Sequence, residues 1–229
     1  MSPEHGVKRM AELNFLKSLH GSTKRDYIQR VVEHDKAECA QVAAQWGHDY
    51  WDGDRKYGFG GYKYDGRWRP VAEQLVSYYQ LKPGDSVLDV GCGKGFLLYE
   101  ITQVVPDISV SGVDISKYGI ENSKKEIRSQ LHNGNCVNLP YDDKVFDFVY
   151  SINTFHNLKN FEVTKAISEL NRVGKGRSYI CVESYRNERE KMNLLYWQLT
   201  CKSFYDTEEW LWLFEQNNYH GDIGFIFFE

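Results

Sequence analysis

The run Val87-Leu88-Asp89-Val90-Gly91-Cys92-Gly93-Lys94-Gly95-Phe96 constrains this chain more than any other stretch. Apolar residues around an acid read as a buried strand, and glycines at alternate positions turn the chain tightly into a helix. Glycine lacks a Cβ, so a ligand can lie against bare backbone amides there. Those amides open a helix, where N–H groups have no intrahelical partner. A second apolar run ends in Val110-Ser111-Gly112-Val113-Asp114, its acid 25 residues beyond Asp89. An acid ending the second strand is where nucleotide-binding α/β units hold a ribose diol. Together the two signals predict a nucleoside-containing cofactor.

The dinucleotide fingerprint G-x-G-x-x-G would need glycine at 96, where Phe96 stands. That counts against a nicotinamide-dependent oxidoreductase, which the strand–helix alternation would otherwise fit. The pattern is instead D-x-G-x-G-x-G. Further along, Gly134-Asn135-Cys136-Val137-Asn138-Leu139-Pro140-Tyr141 precedes Val145-Phe146-Asp147-Phe148-Val149. Leu170-Asn171-Arg172-Val173 runs through Gly174-Lys175-Gly176 to Tyr179-Ile180-Cys181-Val182. In this order the four stretches resemble the motifs of the class I S-adenosylmethionine (SAM) methyltransferases, over residues 70–229. The resemblance implies a Rossmann-like α/β fold: a central, mostly parallel sheet with helices on both faces. It implies SAM as methyl donor and S-adenosylhomocysteine as product.

The chain has 229 residues, enough for one large domain and an extension. We expect N-terminal helices and a Gly/aromatic-rich lid over 1–69, capping a SAM-binding domain over 70–229. Within the first part, apolar spacing predicts a short helix over 8–20 and a longer one over 23–46, with Ser22 as its cap. Strands are expected near 86–90, 109–113, 133–137, 146–151 and 178–184. Helices are expected from Pro70 and near 95–104, 117–129, 162–172, 187–202 and 207–217. Family members usually finish with an antiparallel two-stranded hairpin, but Tyr219–Glu229 has room for one strand. A six-stranded sheet or an unusual edge is therefore expected. An exposed last strand would be adhesive, so it should pair with the N-terminal helices or with a second subunit as a homodimer.

Net charge is −4, which argues against a general nucleic-acid binder. Five cysteines without a C-x-x-C pair suggest reduced thiols and a cytoplasmic protein. Met1-Ser2-Pro3-Glu4-His5 shows no apolar signal region, and no stretch approaches a membrane span. Asp52-Gly53-Asp54 lacks the rest of a calcium loop, so no metal is expected.

The resemblance places Asp89 near the amino end of the SAM methionine and Ser151 beside the cofactor backbone. Gly91, Gly93 and Gly95 offer the close backbone surface. Asp114 can accept both ribose hydroxyls, with Ser116 left to cap the next helix, and Ile115 would pack on the adenine. Asn135 stands where the family more often has Asp, and Cys136 would offer its N–H to the ring. In the lid, Tyr62, Tyr64 and Arg67 would close over the methionine end, Arg67 pairing its carboxylate. Asp52, Asp54 and Arg55 are candidates for hydrogen bonds to a polyhydroxylated substrate. The plainer alternative is a loop packed by its own rings.

Methyl transfer needs an aligned nucleophile and often a base. His156, just past the fourth strand, is the candidate base because strand C-termini face the ligand crevice; a structural hydrogen-bonder is the alternative. Tyr185, Arg186 and Trp197 would line the acceptor pocket, although Trp197 also fits a core stripe. The expected activity is methylation of a small polar metabolite, at a hydroxyl and on a sugar-like acceptor. The alternatives are N- or C-methylation of a small molecule, or a SAM-binding regulatory protein without catalysis.

Overall fold

The computed structural model describes residues 10–20 and 25–229. The segment Met1–His5 and Ser22 lie outside the described residues. The N-terminal part contains α1 (Lys17–His20), α2 (Tyr27–Val32), α3 (Lys36–Ala43) and α4 (His48–Trp51). After these come α5 (Arg69–Tyr79), β1 (Ser86–Val90), α6 (Phe96–Val104), β2 (Ser109–Asp114), α7 (Lys117–Glu121) and β3 (Leu131–Asn133). The chain continues through β4 (Phe146–Ile152), α8 (Asn160–Val173), β5 (Gly174–Glu183), α9 (Glu188–Trp197), α10 (Thr207–Gln216) and β6 (Asp222–Ile226).

The strands form one sheet in the order β3-β2-β1-β4-β5-β6, and every pairing is parallel. Helices cover both faces, which is why β1 reads as an almost unbroken apolar run. Alternation sorts its residues. Val87 joins Phe148, Tyr150 and the α5–α6 residues Val71, Leu75, Leu98 and Ile101 in one core. Leu88 and Val90 join Val149, Ile180, Val182 and the α8–α10 residues Val163, Ile167, Leu170, Trp210 and Phe214 in the other. Helix starts are set by short acids: Asp206 and Glu209 exchange side-chain-to-backbone bonds at α10. Because all six strands run the same way, Asp114, Ile152 and Glu183 finish at one edge of the sheet. That edge is where ligands bind in open α/β sheets.

The six-stranded expectation holds, and the last strand finds its partner within the chain. The Leu13 N–H donates to the Ile223 carbonyl at 2.7 Å, and the Ile223 N–H to the Ala11 carbonyl at 2.9 Å. Residues 11–13 are thus extended beside β6, and within the expected 8–20 helix only Lys17–His20 is helical among the described residues. Unpaired edge amides outweigh a four-residue apolar stripe. The expected 23–46 helix is two helices, because the Asp35 carboxylate accepts the Ala37 and Glu38 N–H groups and starts α3 anew. The 117–129 helix stops at Glu121; Gly119 weakens it, and Arg128 bonds back to the Ser123 carbonyl. β3 ends at Asn133 rather than 137, since Asn135 Oδ1 accepts the Val137 N–H in a tight turn. All five cysteines are free thiols. Among the described residues, no helix is long and apolar enough to cross a membrane.

Candidate functional site

The glycine loop is built by backbone. Gly91, Gly93 and Gly95 all have positive φ. A Cβ on Gly91 would fall 1.9 Å from Thr154 Oγ1, and one on Gly93 would fall 2.6 Å from the Trp51 ring. Asp114 holds the loop in place: its carboxylate accepts the Gly93 and Ser116 N–H groups, each at 2.7 Å. Burial raises its pKa, and these bonds pull it back down. Ser116 Oγ accepts the Gly119 N–H and caps α7, leaving Asp114 free of that duty. Ile115 next to it is 57 % exposed, a bare apolar face beside the loop.

Asp89 pairs in register with Tyr150 on β4. Burial, with the Asp114 charge adding to it, pushes the Asp89 carboxyl up to about 8. Ser151 Oγ donates to the Val90 carbonyl at 2.8 Å and ties β4 to the end of β1. Asn135 Oδ1 is engaged by its own turn, and Cys136 is buried behind it.

The lid lies directly on this loop. Trp51 donates its indole N–H to Ser116 Oγ at 2.8 Å and stacks on Phe59. Asp52 receives Lys94 Nζ on both oxygens at 2.7 Å, the Tyr118 hydroxyl at 2.8 Å and the Tyr62 N–H at 3.1 Å. Lys94 is the side chain between Gly93 and Gly95, so an ion pair joins lid to loop. Tyr62 stacks on Phe96. Tyr64 donates to Glu100 at 2.6 Å. Two expected lid roles are redirected. Arg67 forms a bidentate pair with Asp65 at the surface, because its nearest carboxylate is two residues away. Asp54 accepts the Lys56 N–H and starts a 3-10 turn at Arg55–Tyr57.

At the ends of β4 and β5 sits a second pair. His156 lies in a 3-10 turn over Phe155–Asn157 and is 2 % exposed. Its Nδ1 accepts the Glu183 N–H at 3.3 Å, which assigns the proton to Nε2. Nε2 faces Glu183 Oε2 at 3.4 Å. Burial drives the His156 pKa down to about 3 and the Glu183 pKa up to about 8. Glu183 Oε2 has no hydrogen-bond partner. The Tyr50 pKa is raised by burial and further by the charges of both Glu183 and Asp114.

His156 therefore does not have the geometry of a base. Its one lone pair is taken by a backbone N–H, and its affinity for a proton is far below neutral pH. Glu183 was the residue that sequence reasoning passed over. The signal was there, since Glu183 ends β5 as Asp114 ends β2.

Of the remaining candidates, Tyr185 is buried under Lys191, and Arg186 pairs with Glu190 and Glu229 at the surface, away from Glu183. Trp197 ends α9 and is ringed by Arg25, Arg30 and Arg55.

A family model described as a methyltransferase domain matches residues 81–218. The demethylmenaquinone methyltransferase of Symbiobacterium thermophilum is 34% identical over 128 residues, covering 52% of this chain and 50% of that protein. The 24-methylenesterol C-methyltransferase 2 of Arabidopsis thaliana is 34% identical over 134 residues, covering 52% of this chain and 34% of that protein. The chain spans about half the length of the curated relatives it matches. Among solved structures, the YcgJ protein of Bacillus subtilis superposes with a TM-score of 0.52 at 21% identity, covering 64% of this chain and 66% of that one. That likeness shows the fold.

Proposed function

The chain belongs to the class I SAM-dependent methyltransferase family, and on that premise we propose that it methylates a small-molecule acceptor with Glu183 as general base. The observation that carries this is the buried Glu183 carboxyl, with an unpartnered Oε2, at the sheet edge that holds the glycine loop. When bound, SAM supplies an electrophilic methyl on a positively charged sulfur.

The residues around the loop suit that cofactor. A buried acid raised to about 8 suits an ammonium beside it, which assigns Asp89 to the methionine amino group. Gly91 and Gly93 offer backbone without side chain. Asp114 keeps one lone pair on each oxygen after bonding the loop, enough for a ribose diol. The exposed face of Ile115 fits the adenine, and the Cys136 N–H fits the ring edge. Asn135 would share its oxygen between the ring and its own turn. Gly95 and Ser151 shape the loop floor. Trp51, Tyr62 and Tyr64 form the roof, and Asp52 latches it through Lys94.

Glu183 takes the proton from the acceptor atom as that atom attacks the methyl. Held by Asp89, Asp114 and the glycine-loop backbone, the cofactor would supply the methyl and accept the bonding electron pair on its sulfur, leaving as a neutral thioether. His156 is a positioning residue: it fixes the β5 end through the Glu183 N–H and presents Nε2–H toward the carboxylate that forms. We assign a hydroxyl as the acceptor group. The sugar-like version of that assignment rested on Asp52, Asp54 and Arg55, and the first two are engaged inside the lid. The relatives' names include carbon acceptors, and the same base would serve an acidic C–H. The five free cysteines support a cytoplasmic, reducing location. β6 finds its partner in residues 11–13, which removes the motive for a homodimer at that strand.

Calorimetry with SAM, S-adenosylhomocysteine and NADH on the wild type and Asp114→Ala tests the cofactor. We expect micromolar binding of the two sulfur nucleosides and its loss in the variant. Binding of NADH alone would overturn the reading. Transfer of labelled methyl to a panel of hydroxyl, amine and carbon acceptors then decides the acceptor atom.

A further inference from the structure

The residues around Trp197 form a patch of positive charge that the methyl-transfer chemistry does not use. The guanidinium carbons of Arg30, Arg55 and Arg25 lie 4.6, 5.2 and 5.5 Å from the centre of the same indole ring. Their partners are mostly neutral. Arg30 Nε donates to the Trp197 carbonyl at 2.8 Å, Arg55 Nη1 to the Gly58 carbonyl, and Lys36 Nζ to the Leu195 carbonyl. Arg25 bonds His20. Among the described residues, Arg30, Lys36 and Arg55 form no ion pair with a carboxylate.

Cation–π contact with one ring attracts each guanidinium. It does not cancel the repulsion among them. Burial and the neighbouring positive charges hold Arg30, Arg55 and Lys36 below their ordinary pKa values. Arg30, Arg55 and Lys36, with no carboxylate partner among the described residues, are stabilised by an incoming anion, and guanidiniums match the two oxygens of a carboxylate or phosphate.

The patch also adjoins the proposed base. The chain just after Trp197 is tied to the turn that carries His156: the Lys202 and Ser203 N–H groups donate to the His156 carbonyl at 2.8 and 3.0 Å, and His156 Nε2 lies 3.4 Å from Glu183 Oε2.

We infer that the methyl acceptor carries an anionic oxygen group, a carboxylate or a phosphate, held by Arg30, Arg55 and Lys36 while Glu183 faces the atom to be methylated. This rests on the methyl-transfer reading and narrows its substrate class.

The test is calorimetry on the full chain at low ionic strength. S-adenosylhomocysteine is titrated first. Inorganic phosphate, 4-hydroxybenzoate and the neutral 4-hydroxybenzamide then follow. We expect saturable binding of at least one anion, none of the amide, and at least tenfold weaker binding in Arg30→Met and Arg55→Met. Lys175→Met, at the far end of β5, should bind as the wild type does. Which anion binds distinguishes phosphate from carboxylate.

If S-adenosylhomocysteine binds and neither anion does, the inference fails and the methyl-transfer reading stands. Equal binding of acid and amide, or undiminished binding in both Met variants, also overturns it. If S-adenosylhomocysteine does not bind, the parent reading fails first. Should the Met variants misfold, the acid-against-amide comparison on wild type decides alone, with Arg55→Gln as the second variant.

Discussion

Two acids end two strands at the same edge of the sheet, and their surroundings could hardly differ more. Asp114 has both oxygens engaged by backbone N–H groups of the loop it shapes. Glu183 has an oxygen with no partner, a histidine that faces it, and burial that keeps it protonated to about pH 8. The first acid belongs to a region built by backbone, where glycine and hydrogen bonds make a shape. The second belongs to a region built by side chains, where desolvation moves a pKa. Recognition of a cofactor needs a fixed shape; a proton transfer needs a group whose pKa has been moved toward the working pH.

The sharpest break of this contrast is Gly93→Val. A β-branched residue at φ +54 with the Trp51 ring 2.6 Å from its Cβ cannot keep the loop. We expect loss of SAM binding by calorimetry and destabilisation of about 3 kcal/mol or more by denaturant unfolding.

Glu183→Gln should do the reverse. SAM affinity stays near wild type while kcat falls by roughly 10²- to 10⁴-fold. In the wild type, the rate with a hydroxyl acceptor should rise with pH toward a plateau above about 8, where Glu183 is ionised. The variant should lose that rise. Equal losses of SAM affinity in both variants would show that the two regions are one.

Stability against pH gives a smaller, signed effect. Asp89 and Glu183 have folded pKa values raised to about 8 from their ordinary values of 3.8 and 4.5. The folded state therefore binds more protons between those limits, and each group lowers stability as pH rises through that window. His156 and His20, lowered to about 3 and about 4, act oppositely, and their contribution is complete by about pH 6.5. Stability should thus fall from about pH 6.5 to 8 by up to about 1.4 kcal/mol per pH unit for each acid, and the melting temperature should fall with it. Glu183→Gln should make the slope shallower. Saturating SAM should do the same through Asp89. A melting temperature that climbs over this range would contradict both buried acids.

The smallest effect should come from Arg67→Ala. Its surface pair with Asp65 predicts a change within about 0.5 kcal/mol in stability and no change in SAM affinity. A tenfold loss of SAM affinity would return Arg67 to the cofactor.

The same contrast explains what the sequence made legible. β1 was readable to its ends at 86–90, and the glycine loop and Asp114 followed, because positive φ and close backbone approach restrict which residues can stand there. The six-stranded sheet was readable from the few residues left after α10. The environments of His156 and Glu183 were not legible. Their roles depend on how deeply two distant strands bury them, and no spacing rule encodes burial. The Arg67–Asp65 pair was not foreseen for a local reason, since Asp65 lies two residues away and closes it at little cost in chain entropy. Arg30 and Lys36 escaped notice because nothing within their own helices marks them. Only the end of α9 brings them together, Arg30 at the Trp197 ring and Lys36 at the Leu195 carbonyl.

The bond between residues 11–13 and β6 sets a timetable. Ala11 and Asp222, which meet at this edge, are 211 residues apart in the chain. At about 5–20 residues per second on the ribosome, the earlier segment waits on the order of 10–40 s for its partner to be made. Tyr27, bonded to the Glu229 carbonyl, waits as long. By the time Asp222 is made, β1, α6 and β2 have left the tunnel and are free to pair, so residues 11–13 dock after the central strands that follow them in the chain.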